Sequence, residues 1–237
     1  MYPNTLSRKK KILILGGTSS LAKEIIPICA SNGFNVTKTN RKQKLNSQIN
    51  QHDLLYLDVS SIKSINLFLE NINNMRFSYV LCLIGSTSEM YKYPYKNFKE
   101  INTYLNTYII NLIFLLDNLF FNYRISNSCS ILVLSSRAAK YGSQDRYYAV
   151  AKSALEGFIK SKGKFNSKRI QLNAVSLGLI SGSKMQMKMS NRNVLSHKRR
   201  SKNQLLDVTN ASKLIIQTLQ NKKIGSGKVI YLGPQYE

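Results

Sequence analysis

The sequence predicts an α/β fold, a single doubly wound, Rossmann-like domain with a parallel sheet of about seven strands and helices on both faces. Three observations predict it. Short apolar runs alternate with longer helical patterns along the chain, and strands separated by helices of this length mean βαβ units. No internal repeat, Pro/Gly-rich linker or composition break divides the 237 residues. The 43% apolar content is that of a chain able to bury a sizeable core.

The first strand is expected at 11–15, where Lys11-Ile12-Leu13-Ile14-Leu15 runs into a glycine pair, and a helix over 20–32 follows. Strand two is expected at 34–39 and strand three at 54–58, ahead of an amphipathic helix over 62–72. Strand four at 79–84 leads into a long helix within 98–121. Strand five at 130–134 precedes a helix over 147–162, and strand six is expected at 169–175. A helix over 208–219 and a strand at 228–232 complete the pattern. Residues 1–10 read as a basic N-terminal arm.

Composition excludes several classes. The most apolar stretch, residues 108–121, is too short to span a bilayer and carries Asn111, Asp117 and Asn118, so no membrane association is expected. The basic run Arg8-Lys9-Lys10-Lys11 enters a strand with no small-residue cleavage site, so no secretory signal is expected either. Three cysteines, Cys29, Cys82 and Cys129, sit at unrelated spacings. That pattern argues against a disulfide framework or zinc site and for a reduced, cytoplasmic protein. His52 and His197 are the only histidines, which leaves little for a metal cluster or a Ser-His triad, and no metal is expected. Net charge is +24. Such an excess raises a nucleic-acid hypothesis, but the basic residues are scattered and acids are scarce throughout. Compositional bias explains that distribution better than a dedicated binding stripe.

Chemistry enters at the first turn, Leu15-Gly16-Gly17-Thr18-Ser19-Ser20-Leu21-Ala22. A strand, a small-residue turn and a helix start form a dinucleotide site, because small residues let the backbone approach the pyrophosphate and the helix N-terminus attracts anions. The same turn alone would also serve as a tight connection. No acid occurs between Glu24 and Asp53, and Asn40-Arg41-Lys42 follows strand two. An acid there would bind a free ribose 2′-hydroxyl, whereas a guanidinium matches a 2′-phosphate. NADP(H) is therefore favoured over NAD(H), with Arg41 as the reader.

Strand five ends in Ser135-Ser136, and Tyr148 and Lys152 lie four apart on the next helix, hence on one face. An ammonium beside a phenol is expected to lower the phenol's pKa toward a range useful for acid–base catalysis. The position, at the C-terminal ends of the strands, is where doubly wound sheets bind ligands.

With these residues in view, the chain resembles the short-chain dehydrogenase/reductase family as a divergent member, and it is similar to the 3-oxoacyl-acyl-carrier-protein reductase-like branch. The resemblance runs from Lys11 to about Leu232 and rests on the turn from Gly16 to Ala22, Asp58-Val59, Gly85, Ser136, the Tyr148/Lys152 pair and Asn173-Ala174-Val175-Ser176-Leu177-Gly178. It implies an NADPH-dependent reductase that turns a carbonyl into an alcohol by hydride transfer. Tyr148 would be the acid/base, Ser136 would hold the carbonyl oxygen, and Lys152 would bind the nicotinamide ribose. Asn106 would hold a relay water, with Asn111 as runner-up; Ser135 is the alternative to Ser136. Gly16, Thr18, Ser19, Ser20 and Leu21 would line the cofactor, Asp58 and Val59 the adenine, and Gly85, Gly178 and Ile180 the nicotinamide side. A homodimer or homotetramer is also implied.

The departures are Ser20 and Ala22 at the family's second and third glycines, Cys82-Leu83-Ile84-Gly85 after strand four, and Leu177 before Gly178. They leave open a catalytically silent dinucleotide-binding subunit of a larger complex. In this family residues 181–206 would form a substrate lid. From 157 to 206 there are twelve Lys/Arg and no acid, and Met185, Met187 and Met189 stand near the lid's start. A small-molecule or carrier-linked carbonyl substrate, including an anionic one, would suit a basic lid.

Overall fold

The computed structural model describes residues 10–41, 54–87, 98–121, 128–164, 170–202 and 204–234. The basic arm lies outside the described residues except for Lys10, as does Lys42. The main sheet has seven strands: β1 (Lys11–Leu15), β2 (Asn35–Asn40), β3 (Leu54–Tyr56), β4 (Tyr79–Cys82), β5 (Cys129–Ser136), β6 (Ile170–Leu177) and, after two short lid strands, β9 (Val229–Leu232). Their order is β3-β2-β1-β4-β5-β6-β9, and every pairing is parallel. The expected doubly wound α/β fold is borne out.

The strand order reverses between β1 and β4, with all strands still parallel. That switch point opens a crevice at the C-terminal strand ends. The strands alternate their apolar residues between two cores. On one face Leu13, Val80, Ile131 and Leu172 pack with helix α2 (Ile62–Asn71), α4 (Leu112–Phe121) and α6 (Arg146–Lys164), through residues such as Phe68, Leu116 and Ile159. On the other face Ile12, Leu81 and Val175 pack with α1 (Ser20–Ser31) and α9 (Val208–Gln220), through Ile25 and Ile215. Each such side chain stabilises the fold by roughly 1.5–3 kcal/mol. Cys29, Cys82 and Cys129 are free and buried in these cores.

Two departures from the expected elements bear on the site. The long helix expected within 98–121 is α3 (Phe98–Leu105) and α4 joined by a π-helical segment, Asn106–Asn111. A widened turn shifts the helical phase and is common near functional sites. The lid is also structured. It contains β7 (Ile180–Ser181), α7 (Lys184–Met187), α8 (Asn191–Arg200) and β8 (Leu206–Asp207), with β7 and β8 paired as a second, two-stranded sheet. A four-residue helix α5 (Ala138–Tyr141) follows β5. Elsewhere boundaries move by a residue or two, as helix and strand ends do. No helix among the described residues is long and apolar enough to cross a membrane.

Candidate active site

The turn after β1 is shaped by close backbone approach. Gly16 has φ +82°, and a Cβ there would stand 3.2 Å from the Leu83 carbonyl carbon. A Cβ on Gly17 would stand 2.8 Å from the Lys38 Cβ. Both glycines donate to Thr39 on β2, Gly16 N–H to its Oγ1 and Gly17 N–H to its carbonyl, each at 3.0 Å. The first turn is thereby docked onto the neighbouring strand, as a dinucleotide-binding turn requires.

Ser19 caps α1, its Oγ accepting from Ala22 N–H at 3.1 Å, an arrangement worth about 1 kcal/mol. Ser20, at the position of a family glycine, turns its hydroxyl elsewhere. Its Oγ accepts from Lys184 N–H at 3.1 Å, joining the phosphate turn to the first turn of the lid.

These elements open a cavity of about 540 Å³. Thr18, Ser19, Ser20 and Leu21 line one end of it with Gly16, and Arg41 and Val59 stand beside them. Gly85, Ser136, Tyr148, Gly178 and Ile180 line the other part. The cavity is large enough for a dinucleotide's extended shape to meet both the turn and the Ser/Tyr pair. Arg41 is exposed at its rim.

Asp58 departs from its expected place. It turns Oδ1 to Ser60, accepting from the Ser60 N–H at 3.0 Å and hydroxyl at 2.8 Å. Its neighbours Leu57 and Val59 are the ones that line the cavity.

At the strand ends, β5 delivers two serines to opposite tasks. Ser135 is buried and donates to Glu156 Oε1 at 2.6 Å. Ser136 faces the cavity; its Oγ accepts from Ala138 N–H at 3.2 Å, and its hydroxyl is near enough to the Tyr148 phenol to lower that phenol's pKa. Alternation along the strand separates them. Between the two candidates the structure brings Ser136, not Ser135, to Tyr148.

Tyr148 sits in the first turn of α6, where its N–H donates to the capping Asp145 Oδ1 at 3.2 Å. Burial pushes its phenol up to about 12, and the nearby Ser136 hydroxyl offsets part of that rise. The expected lowering by Lys152 is therefore not the governing effect. Lys152 Nζ lies 5.9 Å from the Tyr148 ring centroid and donates to the Leu134 carbonyl at 2.8 Å. Burial lowers the Lys152 ammonium to about 8, while Cys82 and Glu156 act in the opposite direction. Gly85 borders this ammonium, and a Cβ there would stand 2.9 Å from Nζ.

The structure does not bring Asn106 to the cluster. Its side chain is exposed and its Nδ2 donates to Asn102 Oδ1 at 3.1 Å. The π-helical segment instead turns Asn111 inward. Asn111 is buried and donates to the Val59 carbonyl at 2.8 Å. A regular helical spacing counted from Gly85 misses this because the phase changes within 106–111.

Several lining residues escaped the sequence reading. Tyr108 lines the cavity near Arg41 and Ser86, and burial raises its phenol above the ordinary range. Tyr141, Gln144 and Asp145 border the Ser/Tyr end, and Lys184, Lys188 and His197 come from the lid. Helical spacing of Lys184 and Lys188, four apart, was the available signal for the last group. Arg137, directly after Ser136, is buried with its Nη2 donating to the carbonyls of Leu232, Gly233 and Pro234 at 3.4, 3.3 and 2.8 Å.

Comparison with known proteins agrees with this fold. The family model described as short chain dehydrogenase matches residues 10–193, and the chain belongs to that family, the NAD(P)-dependent short-chain dehydrogenases/reductases. A search of curated proteins found no match. Among solved structures, a short-chain dehydrogenase family protein from Francisella tularensis is similar at TM-score 0.75 and 17% identity, covering 95% of this chain and 97% of that one. The ligand-free aldohexose dehydrogenase of Thermoplasma acidophilum is similar at TM-score 0.75 and 14% identity, covering 95% and 92%. A protein of Shigella flexneri 2a, described as a short-chain dehydrogenase and complexed with NADP, is similar at TM-score 0.74 and 16% identity, covering 94% and 96%.

Proposed function

We propose that the protein reduces a substrate carbonyl to an alcohol with NADPH, Tyr148 serving as the acid. The observation that carries this reading is that Ser136 and Tyr148 meet on the wall of the cavity that Gly85 and Gly178 also line. Bound there, NADPH would supply the hydride for the carbonyl carbon. Everything else falls to the chain's own residues. The Gly16–Leu21 turn and the start of α1 would hold the pyrophosphate, Arg41 the 2′-phosphate, and Val59 the adenine face. Lys152 would hydrogen-bond the ribose.

A phenol held near 12 is protonated at neutral pH, which is the form a reduction needs. Tyr148 gives its proton to the oxygen as charge develops there, and the Ser136 hydroxyl holds that oxygen in line. The positive charge of Lys152 eases formation of the phenolate left behind. Ser19 and Asp145 act earlier, by capping α1 and α6 and so fixing where the turn and Tyr148 stand. Asn111 would act as a positioning residue, fixing Val59 through its carbonyl.

The preference for NADP(H) over NAD(H) rests on Arg41 at the cavity rim and on the absence of an acid after β2; the NADP held by the Shigella flexneri structure supports it. A homodimer or homotetramer is part of the same reading. Ile110, Phe114 and Val150 are 59%, 39% and 51% exposed on the helices after β4 and β5, and an apolar face of that kind suits pairing with a second copy. A cytoplasmic setting suits the three unpaired thiols.

NADPH binding by fluorescence, with NADH as control and Arg41→Ala alongside, tests the reading. NADPH is expected to bind at least about tenfold tighter than NADH, and Arg41→Ala to erase the difference. Absence of sub-millimolar NADPH binding would refute it.

A further inference from the structure

Two helix starts meet at one hydroxyl. Ser20 opens α1 directly after its Ser19 cap, and Lys184 opens α7 directly after its Ser183 cap. The first N–H groups of a helix have no acceptor within it. The Lys184 N–H finds one 164 positions away in sequence, the Ser20 Oγ at 3.1 Å. A glycine at position 20 would offer no such oxygen.

The lid's first turn is a unit that this bond can hold. Ile180 and Ser181 of β7 pair with Leu206 and Asp207 of β8, so the two roots of the lid are joined. Gly182 follows at φ +76°, a conformation that favours glycine, and its N–H donates to Gln186 Oε1 at 2.7 Å. The Ser183 hydroxyl donates to the Ile180 carbonyl at 2.8 Å and accepts from the Gln186 N–H at 3.2 Å. The turn is thereby closed on β7, and the Lys184 N–H carries it onto the start of α1. Ser20, Ser183 and Lys184 all line the cavity. A hydroxyl that accepts a hydrogen bond keeps its own proton to give, and Ser20 stands in the turn that would hold the pyrophosphate.

We propose that Ser20 is a positioning residue that latches the lid to the cofactor: its oxygen holds the Lys184 N–H, and its proton goes to a pyrophosphate oxygen of bound NADP(H). The latch stands on the hydrogen bond between Ser20 and Lys184. The coupling to cofactor rests on the reading of the cavity as an NADP(H) site. Each event then favours the other by the same factor, cofactor closing the lid and the closed lid tightening cofactor.

Trypsin tests this on the full chain, because the lid carries its own cleavage sites after Lys184 and Lys188. Cleavage of a segment that opens and recloses quickly tracks the population of its open form. Peptide-resolved digestion is run with and without saturating NADP⁺ on the parent, Ser20→Ala and Ser20→Thr, and NADP⁺ affinity is measured by calorimetry. Without cofactor, Ser20→Ala is expected to raise lid cleavage about threefold or more. Cleavage after Lys160 in α6, which needs wider opening, should stay within about twofold. NADP⁺ is expected to slow lid cleavage in the parent, and Ser20→Ala to lose at least about threefold of that protection and of NADP⁺ affinity. Ser20→Thr keeps the hydroxyl and should stay within about twofold of the parent in every readout. Lid cleavage of Ser20→Ala at the parent's rate, or a rise matched at the Lys160 site, would overturn the latch. Equal NADP⁺ protection in the parent and Ser20→Ala would overturn the coupling. Absence of NADP⁺ binding to the parent defeats the cofactor reading and the coupling with it, while cleavage without cofactor still decides the latch.

Discussion

A Cβ on Gly85 would stand 2.9 Å from the Lys152 ammonium nitrogen. Glycine at this point of the crevice leaves room for the cation rather than for a backbone twist. The atom in the way is the far end of a flexible chain, so a methyl group displaces the ammonium and leaves the fold intact. Gly85→Ala is expected to lower kcat/KM at least about tenfold, with thermal stability within about 0.5 kcal/mol of the parent. Steady-state kinetics and a melting curve on the same preparation check it.

Lys152 carries a cost of its own. Its folded pKa of about 8 lies below the ordinary lysine value of 10.5 because burial disfavours the ammonium. The sign follows. Between those two values the unfolded chain binds more protons, so stability rises with pH there, and the full penalty is present below about 8. A shift of this size corresponds to roughly 3–4 kcal/mol. Lys152→Met is therefore expected to melt a few degrees higher at pH 7 while losing activity. Its advantage should shrink on moving to pH 10. A lower Tm at pH 7 would contradict the assignment.

The two adjacent serines divide stability from chemistry. Ser135→Ala leaves the buried Glu156 short of a 2.6 Å hydrogen bond and is expected to destabilise by about 1–3 kcal/mol while sparing most of the activity. Ser136→Ala should do the reverse, with kcat down by about 10²–10³ and little change in melting. Measuring both variants for both properties exposes any error in the assignment.

Asn111 and Asn106 make a similar pair. Asn111→Ala removes the donor to the Val59 carbonyl and should cost about 1–3 kcal/mol, with weaker NADPH binding because Val59 lines the cavity. Asn106→Ala, at an exposed site, should lie within about 0.5 kcal/mol of the parent. Denaturant melts and cofactor titrations decide between them.

These residues also show what was legible in the amino-acid order and what was not. Alternating apolar runs and helical periods carried the seven-stranded sheet, because burial on both faces leaves a pattern in the strands themselves. The Tyr148/Lys152 spacing carried their shared helix face. The Asn106 assignment failed to reach the crevice because a π-helical segment has no periodic signature, and counting residues assumes a constant turn. The lid's helices were missed because α7 and α8 are short and polar, held by Ser183 and Ser190 caps rather than by an apolar stripe. The direction of the Tyr148 shift was missed for a different reason. Spacing reveals the neighbouring ammonium but not the burial that outweighs it, nor the Leu134 carbonyl that engages it.

The most direct test is NADPH oxidation by the parent protein and Tyr148→Phe, run over a panel of ketones with NADPH affinity measured in parallel. Loss of the phenol's proton should lower kcat by about 10²–10⁴, with NADPH affinity held within about twofold because the ring remains in place. A Tyr148→Phe protein that keeps the parent's kcat would contradict the assignment of Tyr148 as the acid.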